Sequence, residues 1–389
     1  MNPPSNRDPE TPGKILIRSV NWLGDAVMTT PAILRLREKW PATRLALLTP
    51  EKLAPLWQDY PAIDQIISFR PQDRLWQTAR RLRLEHFNIA LVFPNSPRAA
   101  IEAWWSRIPR RIGCAASWRS WFLTDAVPPR REAVAMRQRS LADIRSQIHA
   151  AALPRPSSLP PSAHQVHHYL GLAGVLGADT TPLAPRLFIA ESEVQAVCGR
   201  LGLGFEEGHP WVGLNAGAEY GPAKRWPRGR FIAAAVELHR RTHCRWVILG
   251  GPRDGELARD IAGQLLEAIG RAETMAAPAR QNWVLNLAGA TTLRELCAVL
   301  KACRVLLTND TGPMHVAAAL GTPVVVPFGS TSPELTGPGL PGDPRHRLLK
   351  SPAPCSPCFR RECPIDFRCM SAIGIDQVVR AVADILGQA

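Results

Sequence analysis

The chain has 389 residues, 46% hydrophobic and 21% charged; at roughly 100–200 residues per domain this is material for two or three globular cores, and it excludes a disordered or collagen-like polymer. Lys and Arg number 47 against 33 Asp and Glu, a formal charge of +14. That balance points to an anionic partner: a phosphate-bearing substrate, nucleic acid or an anionic membrane surface.

No run approaches the roughly 18 uninterrupted apolar residues of a membrane-crossing helix, so none is expected. Residues 1–13 lack an apolar signal core and read as a disordered tail. Cys114, Cys198, Cys244, Cys297 and Cys303 are scattered, most beside apolar residues, and read as buried thiols. The other four cysteines crowd between Cys355 and Cys369. This is no secreted disulfide framework, and a reducing cytoplasm is the expected compartment.

In chain order, Lys14–Arg18 reads as a strand, Ser19–Gly24 as a loop and Asp25–Trp40 as a helix stopped by Pro41. Strands follow at Leu45–Leu48, Ile63–Phe69 and Ile89–Phe93, separated by amphipathic stretches at Arg74–Leu84 and Arg98–Arg107. Short buried strands alternating with helices predict βαβ units on a parallel sheet. Between 126 and 163 prolines cluster around a basic helical segment, Arg137–Ala152; Gln165–Leu176 is a further helix, and 177–210 holds no long periodic element. The inter-domain linker is placed near 180–195. A second series follows: strand Trp211–Leu214, helix Arg230–Arg241, strand Trp246–Leu249, helix Leu293–Lys301, strand Val305–Leu307, helix Pro313–Leu320, strand Val324–Val326 and a closing helix at Ile375–Leu386. The expected domains are 14–185 and 186–373, with 374–389 as the closing helix. Two such α/β halves carry their ligands at the strand ends.

Four segments could carry chemistry. Asn21-Trp22-Leu23-Gly24-Asp25 occupies the first βα loop, where Gly24 allows a tight turn; Asp25 is either a helix cap or a carboxylate able to take a proton from a hydroxyl. The loop Asn215–Trp226 sets two glycines before Lys224-Arg225 and suits a diphosphate; a solvated basic turn is the alternative. In Thr308–His315 an apolar strand runs into a polar turn and a helix with Pro313 at its start. The N–H groups of Thr311, Gly312 and Met314 there form an anion site, Asp310 could bind sugar hydroxyls, and His315 is either structural or a ligand contact. Cys355, Cys358, Cys363 and Cys369 could hold zinc or an iron–sulfur cluster, pack as thiols or form a redox pair.

Together and in this order, Trp22-Leu23-Gly24-Asp25, Gly217–Trp226 and Asn309–His315 resemble glycosyltransferase family nine, the ADP-heptose–lipopolysaccharide heptosyltransferases. The resemblance runs from Lys14 to the last helix. The Trp before Leu-Gly-Asp and the Gly-Ala-Glu-Tyr form of the lysine loop are more like the family's second type than its first. It implies the GT-B fold: two Rossmann-like doubly wound domains facing a central cleft, with the acceptor on the first and the nucleotide sugar on the second. By resemblance Asp25 is the base, Lys224 meets the donor diphosphate, and Thr311 and Gly312 bind phosphate. Asp310 and His315 then line the donor pocket, Thr291 lies near the adenine, and Glu219, Tyr220 and Gly24 complete the set. Trp22, Asn21, Arg110 and Arg111 are acceptor candidates. Two departures are Pro313, where a less rigid residue is common, and the cysteine cluster, which is no part of the catalytic pattern.

The resemblance further implies inversion by a single displacement, with no cofactor required for catalysis. The acceptor would be lipid A carrying its inner core. Residues 1–180 hold a net charge of +10 against +4 for the rest. The excess therefore sits on the acceptor half and suits peripheral contact with the anionic leaflet of the inner membrane. Another GT-B transferase with a different donor or acceptor is the runner-up. A nucleic-acid-binding protein is a third reading and a metal- or redox-sensing module a fourth. Low aromatic content (6%) and the lack of a recognised motif argue against nucleic acid.

Overall fold

Runs of aliphatic and β-branched residues form the buried strands of two sheets in the computed structural model, which describes residues 12–150, 159–204, 208–272 and 283–387. The expected N-terminal tail lies, but for its last two residues, outside the described residues. Strands β1 (Lys14–Arg18), β2 (Arg44–Pro50), β3 (Gln65–Phe69), β4 (Ile89–Val92), β5 (Arg110–Cys114) and β6 (Asp125–Val127) form the first sheet, in the order β3-β2-β1-β4-β5-β6. Strands β7 (Trp211–Asn215), β8 (Arg245–Ile248), β9 (Val284–Asn286), β10 (Val305–Thr308), β11 (Val324–Phe328) and β12 (Arg347–Lys350) form the second, β12-β11-β10-β7-β8-β9. Every pairing is parallel. Parallel strands need crossover helices on both faces, which is why the strands read as continuous apolar runs. The architecture is two Rossmann-like doubly wound domains, as expected.

In each sheet the strand order reverses once, between β1 and β4 and between β7 and β10. The crossovers leave in opposite directions there, opening a crevice at the carboxyl ends of the strands. The Asp25 loop follows β1, and the Lys224 and Asp310 loops follow β7 and β10.

The expected helix Asp25–Trp40 is two helices, Leu23–Met28 and Thr30–Lys39. Pro31 has no N–H to give the Val27 carbonyl, and the Thr30 hydroxyl donates to that oxygen instead, at 2.8 Å. The stretch 177–210 does hold a helix, Glu191–Leu201, closed by Gly202 at φ +80°. Strands β5, β6, β9 and β12 and the helix Gly255–Ala272 were not foreseen; all four strands are short, and β6, β9 and β12 are the outer ones. The basic helical segment is shorter than expected, Leu141–His149, and 151–152 lie outside the described residues.

The chain divides into two units, but not at a single linker. The first contains the residues up to Ala133 together with Val166–Leu183; the second contains Val134–Gln165 and the residues from Ala184 onward. Segment 134–165 therefore leaves the expected N-terminal domain. Its Ile144 is buried in the second unit's core, and Gln165 N–H donates to the Leu335 carbonyl at 2.9 Å. Among the described residues no helix is long and apolar enough to cross a membrane.

Candidate active site

In the second unit, Asn309 joins the two loops at the switch point. Its Oδ1 accepts the Trp226 N–H at 2.9 Å and its Nδ2 donates to the Ala216 carbonyl at 2.8 Å. From the end of β7, Asn215 Nδ2 donates to the hydroxyls of Thr308 (3.2 Å) and Thr311 (3.1 Å). Both asparagines are buried, so their amides do for the loops what a backbone ladder does for strands. Neither was singled out from sequence, because an Asn at a strand end reads equally as a turn residue.

Lys224 Nζ lies 2.6 Å from Asp310 Oδ2, which also accepts the Thr331 hydroxyl at 2.6 Å. One oxygen of Asp310, the residue expected to meet sugar hydroxyls, thus anchors Lys224. The ammonium keeps further N–H donors and stands 4.9 Å from the centre of the Tyr220 ring. His315 is buried, which pushes its pKa down to about 4 despite the nearby Asp310 carboxylate; His164 and Lys224 lower it further. It is neutral near pH 7 and can exchange hydrogen bonds without adding charge. Helix Gly312–Ala319 begins at Thr311 in extended conformation with Pro313 in the first turn. The Met314 N–H is used on the Thr311 carbonyl at 3.1 Å, leaving Thr311 and Gly312 as the donors at this helix start.

Gly221 is required by close approach to backbone, and Gly217 sits close against a side chain. A Cβ on Gly217 would stand 2.6 Å from the Asp254 carboxylate, and one on Gly221, at φ +152°, 2.4 Å from the Arg361 carbonyl oxygen. Glu219 is exposed, and Thr291 is partly buried just before the cap residue Thr292 of helix Leu293–Ala302.

The segment carrying Cys355, Cys358, Cys363 and Cys369 braces the lysine loop. The Tyr220 hydroxyl donates to the Phe359 carbonyl (2.9 Å), Ala223 N–H to the Arg361 carbonyl (3.0 Å) and Phe359 N–H to the Ser330 carbonyl (2.7 Å). All four cysteines line one small cavity with Ile144, Ala223 and Ile365. Burial pushes the Cys355 thiol up and Cys369 to about 12, and the neighbouring thiols add to both shifts. Four thiols on one cavity are a suitable donor set for a soft cation. Among the described residues, however, no three metal-ligating side chains stand at ligand spacing, so the thiols would have to draw together around an ion.

In the first unit, Gly24 and Asp25 lie in the first turn of helix Leu23–Met28, at the β1/β4 switch point. The loop hangs on Arg18, buried with its Nε 2.8 Å from Glu102 Oε2, its Nη1 on the Ser19 carbonyl and its guanidinium 4.4 Å from the Phe69 ring centre. Asn21 Oδ1 accepts weakly from Arg18 at 3.4 Å, and Trp22 is exposed. The acceptor candidates Arg110 and Arg111 are both engaged within the unit. Arg110 pairs with Asp125 at 3.0 Å, and Arg111 donates to the carbonyls of Phe122, Ile108 and Pro109, so both knit β5 to its neighbours.

Two doubly wound units, each with a polar loop cluster at its switch point, suit a nucleotide-bearing ligand at the strand ends, and residues 75–367 match the family described as glycosyltransferase family 9 (heptosyltransferase). The chain belongs to this family, and is a glycosyltransferase of heptosyltransferase type. It is 29% identical over 335 residues to lipopolysaccharide heptosyltransferase 2 of Salmonella typhimurium, covering 84% of this chain and 85% of that one. The structure of the E. coli ADP-heptose LPS heptosyltransferase II aligns over 96% of this chain and 99% of its own, with 25% identity and a TM-score of 0.72. A family 9 glycosyl transferase from Veillonella parvula aligns over 97% and 98% with TM-score 0.73; at 23% identity it bears on the fold alone.

Proposed function

We propose that this chain transfers heptose from ADP-heptose to the inner core of lipopolysaccharide, adding the second heptose, with inversion at the anomeric carbon. The observation that carries the reading is the pair of partly buried Lys224 and buried Asp310 at the β7/β10 switch point, beside the start of helix Gly312–Ala319. Asp25 takes the proton of the acceptor hydroxyl as that oxygen attacks the anomeric carbon. The bond to the diphosphate breaks on the opposite side, and negative charge grows on ADP. Lys224 and the N–H groups of Thr311 and Gly312 are placed beforehand where that charge develops, so they favour the transition state over the ground state. Asp310 and Thr331 keep the lysine in position, and neutral His315 packs behind them. The reading also puts the protein in the cytoplasm, against the anionic leaflet of the inner membrane, in line with the basic excess of residues 1–180.

The cysteine cavity is read as a structural cation site, zinc or iron, that braces the Lys224 loop and takes no part in the displacement. The test of the transfer reading is product analysis by mass spectrometry, with ADP-heptose and inner-core acceptors carrying no heptose or one. Addition of a single heptose to the one-heptose acceptor supports it. Turnover only with another nucleotide sugar would favour the related GT-B transferase.

A further inference from the structure

The segment Ser117–Phe122 of the first unit has its polarity inverted. Arg119 is buried and ties the turn to the body of the unit, donating from Nη2 to the Pro94 carbonyl at 2.8 Å, from Nε to the Ser96 carbonyl at 3.3 Å and from Nη1 to the Cys114 carbonyl. The tryptophans on either side point outward: Trp118 is 51% exposed and Trp121 83%. Helix Pro97–Trp105 adds Trp104 and Trp105, 47% and 45% exposed. Phe122 joins the two elements, its ring centre 5.3 Å from that of Trp104 and 5.9 Å from that of Trp118, edge to face in both cases. Four large aromatics thus stand in water on a framework fixed by a buried arginine. Exposed clusters of large apolar side chains mark interaction surfaces.

Arginines flank the patch. Arg83 Nη2 donates to the Trp105 carbonyl at 2.8 Å, the Arg107 N–H donates to the Trp104 carbonyl at 2.9 Å, and Arg80 is exposed one turn before Arg83 on helix Leu75–Leu84. Tryptophan has an apolar body and a polar N–H, and it partitions to the headgroup level of a bilayer, where arginine meets lipid phosphate. We infer that Trp104, Trp105, Trp118 and Trp121 form a docking face for an anionic lipid bilayer, entering to the headgroup depth while Arg80, Arg83 and Arg107 engage phosphates. The inference deepens the membrane-contact part of the proposed function and rests on it. Two aromatic-bearing elements and an arginine rim together supply both the apolar area and the charge that reversible surface attachment needs.

The test uses the full chain and vesicles of phosphatidylethanolamine with phosphatidylglycerol, against phosphatidylcholine alone. The expected result is binding to the anionic vesicles, with tryptophan emission quenched by lipids brominated near the headgroup. The triple variant Trp104→Ser/Trp118→Ser/Trp121→Ser should lose roughly tenfold or more in vesicle affinity. Its heptose transfer to a deacylated, water-soluble acceptor should be unchanged, which separates failure of the docking face from failure of the transferase reading. The single variant Trp121→Ser, at the most exposed position, guards against a folding defect and should show a partial loss. Vesicle binding equal to wild type in both variants overturns the inference. So does concentration-dependent self-association by sedimentation that the triple variant abolishes while neither protein binds vesicles, because the face would then belong to a second copy.

Discussion

Lys224 and Asp310 come from loops after adjacent strands and meet at 2.6 Å, the carboxylate being also the acceptor for Thr331. The pair fixes the position of the lysine while leaving its other N–H donors for an anion. Arg225, the next residue, is far more exposed and lies 3.9 Å from Asp254.

Lys224→Ala should therefore weaken ADP binding, and kcat/KM for the donor, much more than Arg225→Ala. A charge-assisted contact of about 1.5–3 kcal/mol corresponds to roughly 10–150-fold. Isothermal titration with ADP measures it directly, and equal affinities for wild type and Lys224→Ala would remove the lysine from the diphosphate site.

Asp310→Asn keeps the shape of the side chain and removes the charge that anchors Lys224. Donor KM should rise roughly 10-fold or more, from the loss of a charged hydrogen bond. Thr331→Ala, which leaves the ion pair intact, should have the smaller effect. A larger effect from Thr331→Ala would contradict the anchoring role.

Asp25→Asn should fold and bind ADP as wild type does, while turnover drops about 10²–10⁴-fold, the range expected for a general base. Single-turnover kinetics with saturating donor is the measurement; activity within a few-fold of wild type would take Asp25 out of the mechanism.

For the cysteines, elemental analysis of purified protein should find zinc or iron near one per chain. Adding zinc to stripped protein should release protons, because Cys355 and Cys369 are held protonated by burial and by the neighbouring thiols. Cys358→Ser should lower Tm. Since the same segment holds Tyr220 and Ala223, it should also raise donor KM while leaving kcat nearly unchanged. Stripped protein with unchanged Tm, and no proton release, would leave four packed thiols.

His168, His315 and His346 are each held near pKa 4 by burial, below the ordinary 6.5. Between these values the unfolded chain binds the protons that the folded chain does not. Stability is therefore complete above about pH 6.5 and falls as pH drops toward 4, by up to about 1.4 kcal/mol per pH unit for each group. Tm measured from pH 7.5 to 5 should decline on the acid side, and His346→Gln should make the decline shallower. A flat profile would show that these imidazoles are not buried neutral.

Most strands that could be read from sequence are buried on both faces; β3, an edge strand only partly buried, is the exception. Ile89–Phe93 and Val305–Leu307 are unbroken aliphatic runs, and helix Ile375–Leu386 has the same limits in sequence and structure. The strands missed include β6, β9 and β12 at or near sheet edges, where little apolar area needs to be covered and polar residues interrupt the pattern. The break at Thr29–Pro31 escaped notice because helical periodicity continues across it; only the missing proline N–H reveals it.

What the sequence determined by itself was local: the period of each element, the switch from strand to polar loop to helix, and the motif order of Asp25, Lys224 and Asp310 that resembles one transferase family. The rest depended on which loops the sheets bring together. Strand order put β7 beside β10 although some 90 residues separate them, so Lys224 met Asp310 and Asn309 met Trp226. It brought Arg110 to Asp125 and Arg111 to the Phe122 carbonyl, and it buried Arg119 while leaving Trp118 and Trp121 in water. A sequence lists which groups can pair, but pairing energy falls steeply with distance, and distance between remote residues is set only when the parallel sheets form.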